Sequence, residues 1–200
     1  MTPKSLEKKN YILERAHCVF VRKGYASVTM KDIIEECAIS RGGLYLYFSS
    51  VDEIFAQVIN RHNRSKLDRV RGDMEVGKPF HELLTEFFQG QRRRLLHMED
   101  SLKAAMYEYT LSHKGEEDRA FYAAQFQSIF QRILEILQYG VAQGELQEAT
   151  AELYARHIML LTEGMYSLAL AGQMPSPDID AQFQLLLELL YSHKDKEVQA

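Results

Sequence analysis

Apolar side chains recur every three to four residues along nearly the whole chain, and proline hardly interrupts them. The four prolines are Pro3, Pro79, Pro175 and Pro177, so residues 4–78 and 80–174 are free of this helix breaker. No stretch alternates with period two between turn pairs, so strands are not expected. Ile12, Ala16, Val19 and Phe20 make one helical stripe, ended at Gly24 with Arg22 and Lys23 in the last turn. Met30, Ile33, Ile34 and Cys37 make a second, and Leu44, Tyr47 and Phe48 a short third. A long helix is expected over about 52–73, with acids at its start. Further helices are expected at about 80–97, 101–112, 116–143, 150–171 and 179–193, with loops at 146–149 and the proline-bearing 172–178. The pattern predicts an all-α fold: a three-helix head followed by a helical body.

Composition sets the outer limits. Two hundred residues with 46% apolar and 26% charged side chains describe an ordinary globular chain of one or two domains. No apolar run approaches the roughly 18 residues of a membrane span. The start, MTPKSLEKKN, leads into charge, so no secretory signal is expected and the chain reads as cytoplasmic. Cys18 and Cys37 form neither a disulfide framework nor a zinc pattern, and the seven histidines lack metal-ligand spacing; no cofactor or metal is expected. Charge is unevenly spread. Residues 1–50 carry eight basic against five acidic side chains, whereas the other 150 carry 16 against 23. A basic head on an acidic body suits an anionic partner at the head.

Residues 29–48, TMKDIIEECAISRGGLYLYF, carry the sharpest signal. Thr29 can cap a helix with the face Met30, Ile33, Ile34 and Cys37. Ala38-Ile39-Ser40 then intervene before a second helix that Ser40 can cap. That is the spacing of a helix-turn-helix, whose first helix braces on the DNA backbone while the second enters the major groove. In the second helix Leu44 and Phe48 face inward, with Tyr47 at the edge, and Arg41 and Tyr45 share the outer face. Arg41 suits a guanine edge, and Tyr45 a phosphate or thymine methyl. Thr29 and Lys31 suit phosphates. Gly42 and Gly43 would let the helix start approach the duplex closely, at a propensity cost of about 1 kcal/mol each. A plain helical hairpin is the alternative, but such a helix would gain by replacing its glycines.

Ala16, Phe20, Gly24, Tyr25, Thr29, Ile33, the run Ser40-Arg41-Gly42-Gly43-Leu44-Tyr45, Tyr47-Phe48 and Asp52-Glu53-Ile54 carry a family likeness. On these residues, the stretch from Ile12 to Phe55 resembles the DNA-binding domain of the TetR family of bacterial transcriptional regulators. The resemblance implies DNA contacts at Thr29, Lys31, Arg41, Gly42, Gly43, Tyr45 and Tyr47, to which Ser40 is added. Two positions depart from the family pattern. Ala38 stands where glycine is usual in the turn, and Val51 where a phosphate-binding lysine is usual; Ser50 is a neutral substitute. The expected division is a DNA-binding domain at 1–50 and a ligand-binding and dimerisation domain at 51–200.

In the body, Ile179, Phe183, Leu186, Leu187 and Leu190 form one apolar stripe, and Leu185 and Leu189 a second. Leu153, Leu160, Leu161, Met165 and Leu168 line helix 150–171, with Gly164 and Ala171 permitting close approach. This is wider than one core contact requires, and the resemblance places family dimers on the last two long helices. The expected homodimer interface is Leu160, Gly164, Leu168, Phe183, Leu186, Leu187 and Leu190. The body also holds 15 of 21 Phe and Tyr and six of eight Met. Phe87, Phe88, His97, Met98, Met106, Tyr107, Tyr122, Phe126, Phe130, Met159 and Tyr166 are candidates for a pocket taking an apolar or aromatic effector, with Tyr109 and Glu163 as further polar handles. The charged run Arg61–Arg71 and the triplet Arg92-Arg93-Arg94 read as solvated surface. Cys37 reads as inert and Cys18 as exposed.

Three functions compete. The first is a ligand-responsive transcriptional regulator, most simply a repressor, that binds a palindromic operator as a dimer and is released when its effector moves helix 52–73. The second is a helical protein-interaction adaptor, for which Val51 is the best support. The third, an enzyme, lacks a phosphate loop, a metal cluster and a nucleophile motif.

Overall fold

The computed structural model describes residues 3–192, which form nine α-helices and no strand. In chain order these are α1 Pro3–Lys23, α2 Met30–Cys37, α3 Arg41–Tyr45, α4 Val51–Glu75, α5 Phe80–Leu96, α6 Leu102–Ser112, α7 Glu116–Ala142, α8 Glu148–Leu170 and α9 Ser176–Ser192. The fold is all-α. Pro177 lies in the first turn of α9 and not in the preceding loop, because a first-turn residue needs no N–H donor. Position 193, the expected end of that helix, lies outside the described residues. No helix among the described residues is long and apolar enough to cross a membrane.

The helices sort into two compact units. One takes in the residues up to Arg64 together with Glu99–Tyr122, the other Ser65–Met98 together with the residues from Ala123 on. Helices α4 and α7 therefore contribute to both. The first unit is built on α1, whose Ile12, Ala16, Val19 and Phe20 are fully buried against Ile33 and Cys37 of α2, Leu44 of α3 and Ile54 and Phe55 of α4. Helix α6 completes this core with Ala105 and Tyr109. Its Glu108 accepts the Ala26 N–H at 2.8 Å and so pins the α1–α2 turn. The Tyr25 hydroxyl donates to Asp52, and its ring meets Tyr109 edge-on with centroids 4.9 Å apart. Burial, with help from Asp52, pushes the Tyr25 phenol far above its ordinary pKa, so it stays a donor.

In the second unit α5 packs on α8 and α9. Phe80, Leu84, Phe88, Ile133, Ile136, Leu137, Ile158, Ile179, Phe183, Leu186 and Leu190 are buried there. The rings of Phe88 and Phe183 lie 5.0 Å apart.

Candidate nucleic-acid interface

Helix α2 is fixed by a capping box. Thr29 Oγ1 accepts the Asp32 N–H at 3.3 Å, and the Asp32 carboxylate accepts the Thr29 N–H at 2.8 Å. Lys23 reaches the same carboxylate at 2.5 Å, and Arg22 binds Glu36 at 2.8 Å, so two ion pairs tie the end of α1 to α2. Lys23, with the Thr29 hydroxyl and N–H, draws the Asp32 carboxyl down to about 2. Thr29 is thus committed to the cap. Lys31 is fully displayed, with 82% of its side chain exposed and only a 3.7 Å pair to Glu35.

Ala38 adopts the left-handed conformation at φ 50°, ψ 45°. Its N–H donates to the Glu35 carbonyl at 3.1 Å and that of Ile39 to the Ile34 carbonyl at 3.3 Å, the paired closure of a Schellman turn. The backbone therefore accepts the strain, about 1–2 kcal/mol for a residue with a Cβ, and the turn keeps the glycine-type geometry.

Helix α3 is only five residues long, and what orients it is its hydrophobic back. Leu44 and Phe48 are buried at 0% and 1% exposure, while Arg41, Gly42 and Tyr45 face solvent. Ser40 caps it, its Oγ accepting the Gly43 N–H at 3.1 Å. The two glycines then part company. A Cβ at Gly43 would sit 3.1 Å from that same Oγ, a tight contact to which the cap must yield by a few tenths of an ångström. A Cβ at Gly42 would meet nothing within 4 Å. The fold gives no reason for Gly42, although a helix gains by replacing glycine. Beside it, the Arg41 guanidinium lies over the Tyr45 ring, 5.4 Å from its centre.

Tyr47 is half-buried and borders a shallow open hollow with Lys4, Lys8 and Tyr11 of α1. Ser50 caps α4, accepting the Glu53 N–H at 3.1 Å. Val51 is partly buried against the head core, which accounts for an apolar residue at that position. Sequence reasoning passed over Leu46, which stands between Tyr45 and Tyr47 with 78% exposure. The signal is in the helical spacing: with Leu44 and Phe48 buried four residues apart, Leu46 falls midway between them, about 200° round the helix and opposite the buried side. Lys4 and Lys8 were likewise counted only as charge.

The residues named for the body scatter. Met106 and Tyr122 pack against the core of the first unit, where the Tyr122 hydroxyl donates to the His113 carbonyl at 3.1 Å. Tyr107 belongs to that unit as well, with Lys103 over its ring. Tyr109 lies in the same core, and burial pushes its phenol up to about 12. Phe88, Met98, Phe130 and Tyr166 are buried in the second unit; Met159 is half-buried, Phe126 and His97 are exposed, and Phe87 borders a cleft. Phe183, Leu186 and Leu190, expected at a dimer surface, are buried in their own chain at 6%, 1% and 2% exposure, and Leu187 is half-buried. Both stripes of α9 are apolar, and the chain's own core takes this one; Leu185 and Leu189 are the exposed pair. On α8, Leu160 and Leu168 are exposed at 68% and 50%, and Gly164 opens on the same side.

The triplet read as surface divides. Arg92 binds Asp180 at 2.6 Å, Arg93 is exposed, but Arg94 is half-buried, donating from Nε to the Tyr166 hydroxyl at 2.9 Å and to Gln91. Of the run Arg61–Arg71, Arg61 donates to the Asn10 carbonyl and Arg71 binds Glu135 at 2.7 Å. Cys37 is buried, which pushes its thiol pKa up, and Cys18 is exposed.

The family model for bacterial regulatory proteins, tetR family, matches residues 12–58, and that for the tetracyclin repressor-like C-terminal domain matches residues 83–174. YfiR of Bacillus subtilis strain 168, an uncharacterized HTH-type transcriptional regulator, is 36% identical over 140 residues, which span 68% of this chain and 66% of that relative, just under two thirds of its length. A TetR-family regulator from Agrobacterium tumefaciens shares the fold at a TM-score of 0.68 and 19% identity, over 95% of this chain and all of its own. The reduced form of E. coli NemR does so at 0.73 and 11% identity, over 92% and 97%. Head and body both match, and the chain belongs to the TetR family of bacterial transcriptional regulators, with a helix-turn-helix DNA-binding domain at its amino end.

Proposed function

We propose that the chain acts in the cytoplasm as a dimeric repressor that binds a palindromic operator and releases it when a small molecule binds the body. In this reading residues 1–50 bind DNA and residues 51–200 bind the ligand and form the dimer. The observation that carries it is Gly42, a glycine that nothing inside the molecule requires, on the outer face of a helix held by its apolar back. Close approach of a duplex supplies the missing reason. Arg41 and Tyr45 meet base edges, with Leu46 against a thymine methyl, while Lys31 and Tyr47 reach phosphates. Thr29, Ser40 and Ser50 serve mainly by capping the helices that carry these groups. Support for the dimer comes from apolar surface: Leu160, Gly164 and Leu168 of α8 with Leu185 and Leu189 of α9 are exposed in the single chain, and such a patch favours a partner.

The test combines two measurements on the full chain. Sedimentation equilibrium should report a dimer. Fluorescence anisotropy should show preference for a palindrome selected from a random library, with half-sites about 34–36 Å apart or a multiple of that, weakening steeply with salt. A monomer that binds all duplexes alike would overturn the reading.

A further inference from the structure

The second unit contains a cleft of about 310 Å³, at the lower end of the range for small-molecule sites. Its lining is strongly cationic: Lys66, Arg69, Arg93, Arg94 and Arg132 against Asp73 and Glu86. Both acids are already engaged. Lys78 lies 2.6 Å from Glu86 and 3.7 Å from Asp73, and Arg69 lies within 4 Å of each. Arg93, Arg94 and Arg132 have no carboxylate in ion-pair range among the described residues.

Arg132 is the singular group. It is only 7% exposed, and its guanidinium makes no hydrogen bond among the described residues. Its nearest marked contact is the Phe87 ring, 6.0 Å from the guanidinium carbon. Burial, reinforced by neighbouring Arg94, holds its pKa down to about 10, so it remains charged at neutral pH. No sealed side-chain nitrogen or oxygen among the described residues lacks a partner, so the Arg132 nitrogens must reach the open cleft. Arg94 stands beside it, oriented by two neutral groups, Tyr166 and Gln91, and neutralised by neither. A buried guanidinium without a counter-charge is costly unless an anion completes it.

We propose that this cleft is the effector site and that the effector is an amphiphilic anion, its carboxylate or phosphate held by Arg132 and Arg94 and its hydrocarbon lying on Phe87, Val70 and Leu83. This rests on the ligand-responsive reading above and replaces a simply apolar or aromatic effector with a charged one. Guanidinium forks match planar or tetrahedral oxyanions with paired hydrogen bonds, and three apolar side chains supply a floor for a short tail.

Isothermal titration of the full chain with octanoate, octyl phosphate and octyltrimethylammonium tests it. At least one anion should bind with one site per chain, the tighter one naming the head group, and the cation should not. Arg132→Gln should weaken the anion about ten- to hundredfold, the value of charge-assisted hydrogen bonds, while raising the melting temperature of the free protein by removing an uncompensated charge. Should that variant fail to fold, Arg93→Gln at an exposed position decides: it should weaken binding about three- to fivefold, as a single solvated charge does. Binding of octyltrimethylammonium as tight as the anions, no anion binding at all, or anion binding unchanged in the variants overturns the proposal. Operator release is read separately by anisotropy. An anion that binds through Arg132 yet leaves DNA bound keeps this site and removes the ligand-response reading; a neutral or cationic compound that releases DNA while no anion binds does the reverse.

Discussion

The head and the body both offer arginine to an anion, but on opposite terms. In the head, Arg41 sits on a five-residue helix in solvent, stacked on Tyr45. Displaying it costs the fold little, and its attraction for a duplex is screened by salt. In the body, Arg132 is buried with no counter-charge, and the free molecule bears that cost until a ligand arrives. The difference teaches what each surface is for. An exposed cation can sample many phosphates and read one base, whereas a buried one commits to a single oxyanion and couples its binding to the stability of the unit around it.

The largest effect should come from separating two heads without touching either. Leu160→Glu with Leu168→Glu alters side chains that are exposed in the single chain, so the helical fold should persist. Dimerisation should be lost, and affinity for a palindrome should fall about 100- to 10,000-fold as the second head no longer binds intramolecularly. Sedimentation and anisotropy on one preparation check this. Unchanged affinity would mean that one head suffices.

A smaller and more pointed effect separates the glycines. Gly42→Ala should stabilise the free protein by about 0.5–1 kcal/mol, because its Cβ enters open space on a helix, yet weaken operator binding. Gly43→Ala should gain less stability, since its Cβ comes 3.1 Å from the Ser40 cap oxygen, which must yield by a few tenths of an ångström. Thermal melting and anisotropy on both variants check this: at Gly42 stability should rise as DNA affinity falls, and the gain in stability should be larger there than at Gly43.

The smallest effect concerns the brace. Asp32 is held at about 2 by Lys23 and Thr29. A carboxyl with a lower pKa folded than unfolded stabilises fully above its unfolded value near 4, and that contribution fades as pH falls toward the folded value. Asp32→Asn should therefore lower stability at neutral pH and flatten the acid limb of the melting curve between about 4 and about 2; proximity to solvent keeps the change modest.

Most of the head was legible in the sequence because what builds it is local. Caps at Thr29 and Ser40, the inward pair Leu44 and Phe48 and the turn at Ala38 are all fixed within a few residues. The docking of α6 on this core was not legible, since it joins residues some eighty positions apart, such as Ala26 and Glu108. Periodicity also could not say which apolar stripe of α9 the chain keeps for itself. The cleft escaped for a different reason: arginine is assigned to the surface by default. Arg132, three and four residues before Glu135 and Ile136 and one before the buried Ile133, sits where the helix turns inward, and only the packing of α5 and α7 exposes that conflict.

The central claim is that α3 reads bases through Arg41. Selection of binding sites from a random duplex library, run in parallel with the native chain and Arg41→Ala at one salt concentration, tests it most directly. The native chain should enrich a palindrome, and the variant should lose preference at one base pair in each half-site, worth about 1–3 kcal/mol, while keeping nearly the same salt dependence. Recovery of the same sequence with undiminished preference by both proteins would contradict the claim.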